Sequence, residues 1–267
     1  MPVITILSDF GCHDEYVGVM KGVILSVCPG VSIVDITHQI DPQDIAQAAY
    51  LIPSFYRFFS KGTVHLVVVD PGVGSERDIL AANHGGHFFI APDNGVLTLL
   101  MNREKSDTIV RIRNTDNYIK PLSDTFHGRD IFAPIGAHIV NGTGLEELGT
   151  KTGIENLILL EDLDCRLSET GELVGKIISI DHFGNLITNI DSNRLTNYRK
   201  NNPKNRLEIC ISSHVIAGLS KTYANADPSS PLALIGSRNY LEIAVKGGSA
   251  KQFFKARKGD VVRISLL

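Results

Sequence analysis

Near residue 165 the hydrophobic rhythm of this chain changes, and one architecture does not accommodate both halves. Before that point, short apolar runs at residues 3–7, 31–36 and 64–70 alternate with helical spacing. In residues 14–28, Val17, Met20, Ile24 and Val27 share one helix face. In residues 42–59 the same spacing runs through Ile45, Ala48, Ala49, Ile52, Tyr56 and Phe59, and Pro53 inside it predicts a kink or break. Residues 79–82 and 87–91 read as a hairpin through Gly85-Gly86, 96–101 as a short helix and 108–113 as a strand. Residues 125–129 open a helix with an apolar face of Ile131, Phe132, Ile135 and Ile139. Strands alternating with helices predict an α/β domain with a mostly parallel sheet covered on both faces.

After residue 165 the pattern is short strands separated by Gly, Asn, Pro and Ser turns, at 171–181, 186–190, 206–212, 232–235, 240–245 and 260–267. Only 192–200 has helical character, and the polar segment 198–205 is expected to be an exposed loop. This spacing predicts a smaller all-β C-terminal domain, a small barrel or sandwich. The expected domains are residues 1–164 and 165–267.

Lys and Arg number 26 against 29 Asp and Glu, a formal net charge of −3, which argues against a nucleic-acid partner. No apolar run approaches the ~20 residues that span a bilayer, so no membrane partner is expected. The first eleven residues have no basic segment and no cleavage pattern. Cys12, Cys28, Cys165 and Cys210 are scattered and form no C-x-x-C pair. Reduced thiols and a cytoplasmic location are the expectation.

Polar loops fall where an open parallel sheet binds ligands, beyond the carboxyl ends of its strands. Asp9 follows the first strand and can accept hydrogen bonds from a ribose diol, or can bond its own turn in Ser8-Asp9-Phe10-Gly11. Asp70-Pro71-Gly72-Val73-Gly74 follows the central strand but lacks the ending of a P-loop. Arg77 lies within reach of Asp70, as part of a site or as an ordinary ion pair. His127 precedes an apolar helix and is open to a catalytic or a structural reading. His84-x-x-His87 has no third ligand spaced nearby, which argues against a metal. In the second half, Asp181-His182-Phe183-Gly184-Asn185 suits a small zwitterion or a nucleobase, or else a capped β-turn. The Gly236-Ser237-Arg238-Asn239 and Gly247-Gly248-Ser249-Ala250 turns allow the same two readings.

Five motifs in fixed order narrow these alternatives. Ser-Asp-Phe-Gly at 8–11, Val-Asp-Pro-Gly-Val-Gly at 69–74, Pro-Asp-Asn-Gly at 92–95, Thr-Phe-His-Gly-Arg-Asp-Ile-Phe-Ala-Pro at 125–134 and Asp-His-Phe-Gly-Asn-Leu-Ile-Thr-Asn at 181–189 follow one another. Together they resemble the S-adenosyl-L-methionine (SAM) hydroxide adenosyltransferases, the adenosine-forming SAM hydrolases related to fluorinase and chlorinase, over residues 3 to about 266. The resemblance implies an N-terminal α/β domain, a C-terminal β-barrel, and a homotrimer binding SAM between subunits. It implies attack of water or hydroxide on ribose C5′, with SAM as substrate, adenosine and L-methionine as products, and no cofactor or metal.

The resemblance also assigns residues. Asp70, Arg77 and His127 match the catalytic set. Asp9 matches the ribose-diol carboxylate and Phe126 a residue stacked near the ribose. Asp181, Phe183 and Asn185 match methionine and adenine contacts, Ser237 and Arg238 the methionine-carboxylate pair, and the backbone of residues 248–250, ending at Ala250, an adenine contact. Halogenating relatives carry a Ser where this chain has Gly128 and a Tyr where it has His127, which favours oxygen as nucleophile. Gln43 stands where the fluorinase has an aromatic contact, and Gly136 is a smaller departure. The rivals are a SAM-dependent halogenase forming 5′-chloro-5′-deoxyadenosine, a non-catalytic SAM or adenosine sensor, and a metal-dependent nucleoside hydrolase using Asp9 and Asp14.

Overall fold

The computed structural model describes residues 1–102, 106–200 and 206–266. The chain divides into two compact units, Met1–Leu160 and Glu161–Leu267.

In the first unit the strands are β1 (Val3–Ser8), β2 (Ser32–Thr37), β3 (Val64–Val68), β4 (Ile79–His84), β5 (His87–Pro92), β6 (Thr108–Ile112) and β7 (Gly149–Lys151). The helices are α1 (Tyr16–Val27), α2 (Ile45–Phe55), α3 (Thr98–Met101), α4 (Ala133–Val140) and α5 (Leu145–Leu148). The sheet order is β2-β1-β3-β5-β4-β6-β7. β2, β1, β3 and β5 run parallel, and β4, β6 and β7 extend the sheet antiparallel.

The two-residue side-chain period of the strands explains the two cores. Ile4, Ile6, Leu66 and Val68 face α1 and α4. Leu7, Val67, Val69 and Phe89 face the side packed by Ala48 and Ile52 of α2. Gly136 permits the close approach of α4 to β3, because a Cβ there would stand 2.8 Å from Leu66 Cδ2. Gly85 and Gly86 both have positive φ and close the β4–β5 hairpin, as a two-residue primed turn requires.

Of the kink or break expected at Pro53, the break does not occur. α2 continues to Phe55 and tightens into a 3-10 turn at Tyr56–Phe58. An interior proline costs a helix about 3 kcal/mol. Here it sits in the last turn, and burial of Ile52 and Tyr56, worth about 1.5–3 kcal/mol each, offsets the lost backbone bond. The start of α2 also lies later than residue 42. Asp44 caps it, its Oδ1 accepting the Gln47 N–H at 2.9 Å.

The second unit contains β8 (Arg166–Leu167), β9 (Leu173–Ile180), β10 (Leu186–Asp191), β11 (Leu207–Ile211), β12 (His214–Ala217), β13 (Pro231–Ile235), β14 (Tyr240–Val245) and β15 (Val261–Leu266). Its helices are α6 (Ser192–Lys200) and α7 (Ala250–Phe254). All pairings are antiparallel, in the order β12-β11-β15-β9-β10-β14-β13, with β8 on β9. The sheet curls into a nearly closed barrel, and Ser220 N–H donates to Ala233 O at 2.7 Å between the ends of the order. Alternate residues such as Ile177, Leu186, Ile209, Leu241 and Ile264 fill its core.

The expected loop at 198–205 needs correction. Residues 198–200 complete α6, and the Tyr198 hydroxyl lies 2.8 Å from Gly171 O and 3.1 Å from Ile264 O. These backbone partners hold a polar, weakly helical segment as helix. Residues 201–205 lie outside the described residues. No helix among the described residues is long and apolar enough to cross a membrane.

Candidate active site

Parallel pairing places the first group of polar residues. Ser8 of β1 is in register with Val68 of β3, so the two strands end at one level. Asp9 and Asp70 therefore emerge at the same sheet edge. Asn94 Nδ2 donates to Val69 O at 2.9 Å and ties the 92–95 loop to that edge.

Arg77 returns from the glycine loop onto Asp70. Its Nε donates to Asp70 Oδ1 at 2.5 Å and its Nη2 to Asp70 Oδ2. The side chains are 8% and 6% exposed, so the two charges are paired away from water. Arg77 Nη2 also lies 2.9 Å from His127 Nδ1. A guanidinium has no acceptor, so Arg77 donates there and the neutral imidazole carries its proton on Nε2. Burial first, and then the Arg77 charge, push the His127 pKa below its usual value. Nε2 is buried with no hydrogen-bond partner among the described residues.

Asp70 and His127 border a cavity of about 330 Å³ that Asp9, Phe10, Tyr16 and Phe126 also line. Phe10, Tyr16 and Phe126 form an aromatic wall, with ring centroids 5.1–6.1 Å apart. Asp9 Oδ2 accepts the Gln43 N–H at 2.8 Å, and Gln43 itself lines the cavity with φ of 65°. The segment holding His127 is fixed from behind. Arg129 pairs with the fully buried Asp130 at 2.6 and 2.9 Å and lies over the Phe126 ring at 5.3 Å. Ser123 N–H donates to Asp130 Oδ2 at 2.8 Å. The chain then makes a π-helical turn, Gly128–Phe132, before α4. At Gly128 a Cβ would stand 3.1 Å from Met20 Sδ and 3.4 Å from the Phe10 ring, so a larger residue is crowded.

The second unit holds a cavity of about 730 Å³ lined by Asp181, Phe183, Asn185, Ser237 and Arg238 together with Glu242. Asp181 Oδ1 accepts the Asn185 N–H at 2.8 Å, and its Oδ2 accepts Asn185 Nδ2 at 2.9 Å. Phe183 stands 76% exposed at the rim, an apolar ring that a flat ligand can cover. Gly184, with φ of 84°, packs against Ser249, and Lys251 N–H donates to Gly184 O at 2.9 Å, fastening this loop to α7. Ala250 is fully buried in the barrel core and is not among the lining residues. The adjoining Gly247 and Gly248 are.

Phe10, Tyr16, Tyr223 and Glu242 were not singled out as site residues from sequence. Phe10 had a signal, its place in the Ser-Asp-Phe-Gly motif. Tyr16 and Tyr223 lie in none of the five motifs, and Glu242 sits in a regular strand. His87 stacks on the buried His65, and His84 packs edge-on against Tyr56 and Phe89. His65 Nε2 lies 3.3 Å from His87 Nδ1, and no group of three metal-ligating side chains occurs among the described residues.

Residues 4–149 match the family model for the SAM hydroxide adenosyltransferase N-terminal domain, and residues 175–263 that for the C-terminal domain. An (R)-S-adenosyl-L-methionine hydrolase of Thermus thermophilus is 34% identical, over 97% of this chain and 97% of the relative. A fluorinase of Actinopolyspora mzabensis is 27% identical, over 99% and 97%. A crystal structure of an uncharacterized conserved protein from Thermotoga maritima superposes with a TM-score of 0.87 at 32% identity, covering 99% of both chains.

Proposed function

The chain belongs to the SAM hydroxide adenosyltransferase family, and from that membership we propose that it hydrolyses SAM to adenosine and L-methionine. Oxygen from water bonds to ribose C5′, the C5′–S bond breaks with its electron pair going to methionine sulfur, and one proton is released overall. The observation that carries this reading is the Asp70–Arg77–His127 chain ending in an unpartnered, buried imidazole nitrogen at a cavity.

The sulfonium is a good leaving group and needs no general acid. The task is to present an oxygen nucleophile in line with C5′–S, at about 3–3.5 Å and away from bulk water. His127 Nε2–H donates to that oxygen and holds a lone pair toward C5′. With Nδ1 occupied by Arg77, the imidazole is a holder of the nucleophile and not its base. The Arg77 charge favours the hydroxide form, and Asp70 fixes Arg77. Asp9 receives the ribose diol through the oxygen that Gln43 leaves open, and Phe126 covers the ribose. Asp181, Ser237 and Arg238 take the amino-acid end, while Phe183, Asn185 and the backbone beside Ala250 meet adenine. Gly128 offers no side-chain hydroxyl to hold a halide, which supports oxygen over halide. On this reading no metal or cofactor is required, the assembly is a homotrimer with its active site between subunits, and the enzyme works in the cytoplasm.

The test is incubation with SAM in ¹⁸O-water, with and without EDTA and chloride. Adenosine carrying ¹⁸O at the 5′ position, in equal yield with EDTA, is expected. 5′-Chloro-5′-deoxyadenosine would establish a halogenase instead, and tightly bound but unconverted SAM a sensor.

A further inference from the structure

Glu242 projects from β14 into the larger cavity, where it is only 8% exposed. Its Oε1 accepts a hydrogen bond from the Tyr223 hydroxyl at 2.5 Å. Among the described residues no hydrogen bond reaches Oε2 and no cation lies within ion-pair distance. The turn bearing Ser237 and Arg238 reaches this carboxylate through Gly236, where any Cβ would overlap Oε2. Arg238 is half-buried, makes no ion pair among the described residues, and is felt electrostatically at Glu242, as is Asp181. Lys246, the other lining cation, spends its Nζ on the carbonyls of Ala224 and Ala226 at 3.1 and 2.6 Å.

A carboxylate buried without a cation is costly unless a ligand completes it. Desolvation, the largest influence on Glu242, raises its pKa, and Asp181 adds to the rise. An ionised Glu242 therefore costs the empty protein stability. The cavity offers one unpaired guanidinium beside two carboxylates, a charge pattern complementary to a zwitterion and not to a simple anion.

We propose that Glu242, held in place by Tyr223, joins Asp181 in binding the α-ammonium group of the substrate's methionine moiety. It thereby sets a preference for a free α-amino acid end. The inference rests on the SAM reading and adds a specificity-determining residue to it. Arg238 and Ser237 read the carboxylate, and the Asp181–Glu242 pair reads the ammonium.

Calorimetric titration tests this with four probes: L-methionine, its deaminated analogue 4-(methylthio)butanoate, adenosine and SAM. Loss of a charge-assisted hydrogen bond predicts that Glu242→Gln binds L-methionine about tenfold more weakly. Its affinity for 4-(methylthio)butanoate and adenosine is expected to stay within about twofold. Its KM for SAM is expected to rise while kcat holds, as lost uniform binding requires. Tyr223→Phe leaves the carboxylate present but unanchored, and a smaller loss of preference for L-methionine over the deaminated analogue is expected. Unchanged L-methionine affinity in Glu242→Gln, or equal weakening of all four probes, overturns the inference. A wild-type protein that binds neither SAM nor L-methionine overturns the functional reading together with it.

Discussion

Gly74 lies directly against the carbonyl oxygen of Asp124, in a left-handed conformation with φ of 78°. The loop that leaves Asp70 thus rests on the segment that delivers His127, and any Cβ at residue 74 would overlap that oxygen. Gly74→Ala is expected to separate the two loops. The left-handed conformation alone costs a side chain about 1–2 kcal/mol. A lower melting temperature with a larger fall in kcat than in SAM affinity is the expected result, read by thermal denaturation and steady-state kinetics.

Arg77→Lys keeps the charge but not the fork. One ammonium cannot reproduce the Nε and Nη2 bonds to Asp70 and also reach His127 Nδ1. Once that donor is lost, the His127 tautomer is no longer fixed. Turnover is expected to fall about a hundredfold, in line with loss of one preorganised donor. SAM affinity by calorimetry should change little.

Acid should weaken the fold through its buried histidines. Burial pushes His65 down to about 3, and burial also lowers His87 and His127. For each, the unfolded chain takes up a proton at higher pH than the folded one. Stability therefore declines as pH falls below the unfolded value of about 6.5, and the His65 share of the loss continues toward pH 3. Urea midpoints measured from pH 8 to pH 4 should show the decline. His65→Leu should flatten it, although the Thr5 hydroxyl, 2.7 Å from His65 Nδ1, then loses its partner and absolute stability drops.

Mixing two disabled chains tests an active site shared between subunits. Asp70→Ala disables the smaller cavity and Arg238→Ala the larger. Each variant alone is expected to be inactive. Co-refolded chains should recover part of the wild-type rate, because some sites then draw an intact half from each chain. No recovery in a mixture shown to form mixed trimers would place both halves of a site in one chain.

The α/β class, the all-β second half and the hairpin at Gly85-Gly86 were legible because side-chain period and glycine pairs act over a few residues. Asp70, Arg77 and His127 were legible only as separate polar loops until five ordered motifs joined them. Their contact depends on the Gly74 loop resting against Asp124, which no local pattern encodes. That no break occurs at Pro53 was not legible, because the burial of Ile52 and Tyr56 is a tertiary effect. Tyr198 misled because its hydroxyl partners, in the turn before β9 and on β15, are distant in sequence. Glu242 gave no signal, because an acidic residue in an alternating strand reads as solvent-facing until the barrel closes around it.

β1 precedes both of its partners in the chain, β2 on one edge and β3 on the other, where Ile4 meets Val64. A nascent chain therefore carries this apolar strand with an open edge until β3 has left the ribosome. During that interval, the strand that will present Asp9 carries an unpaired apolar edge that other chains can pair with.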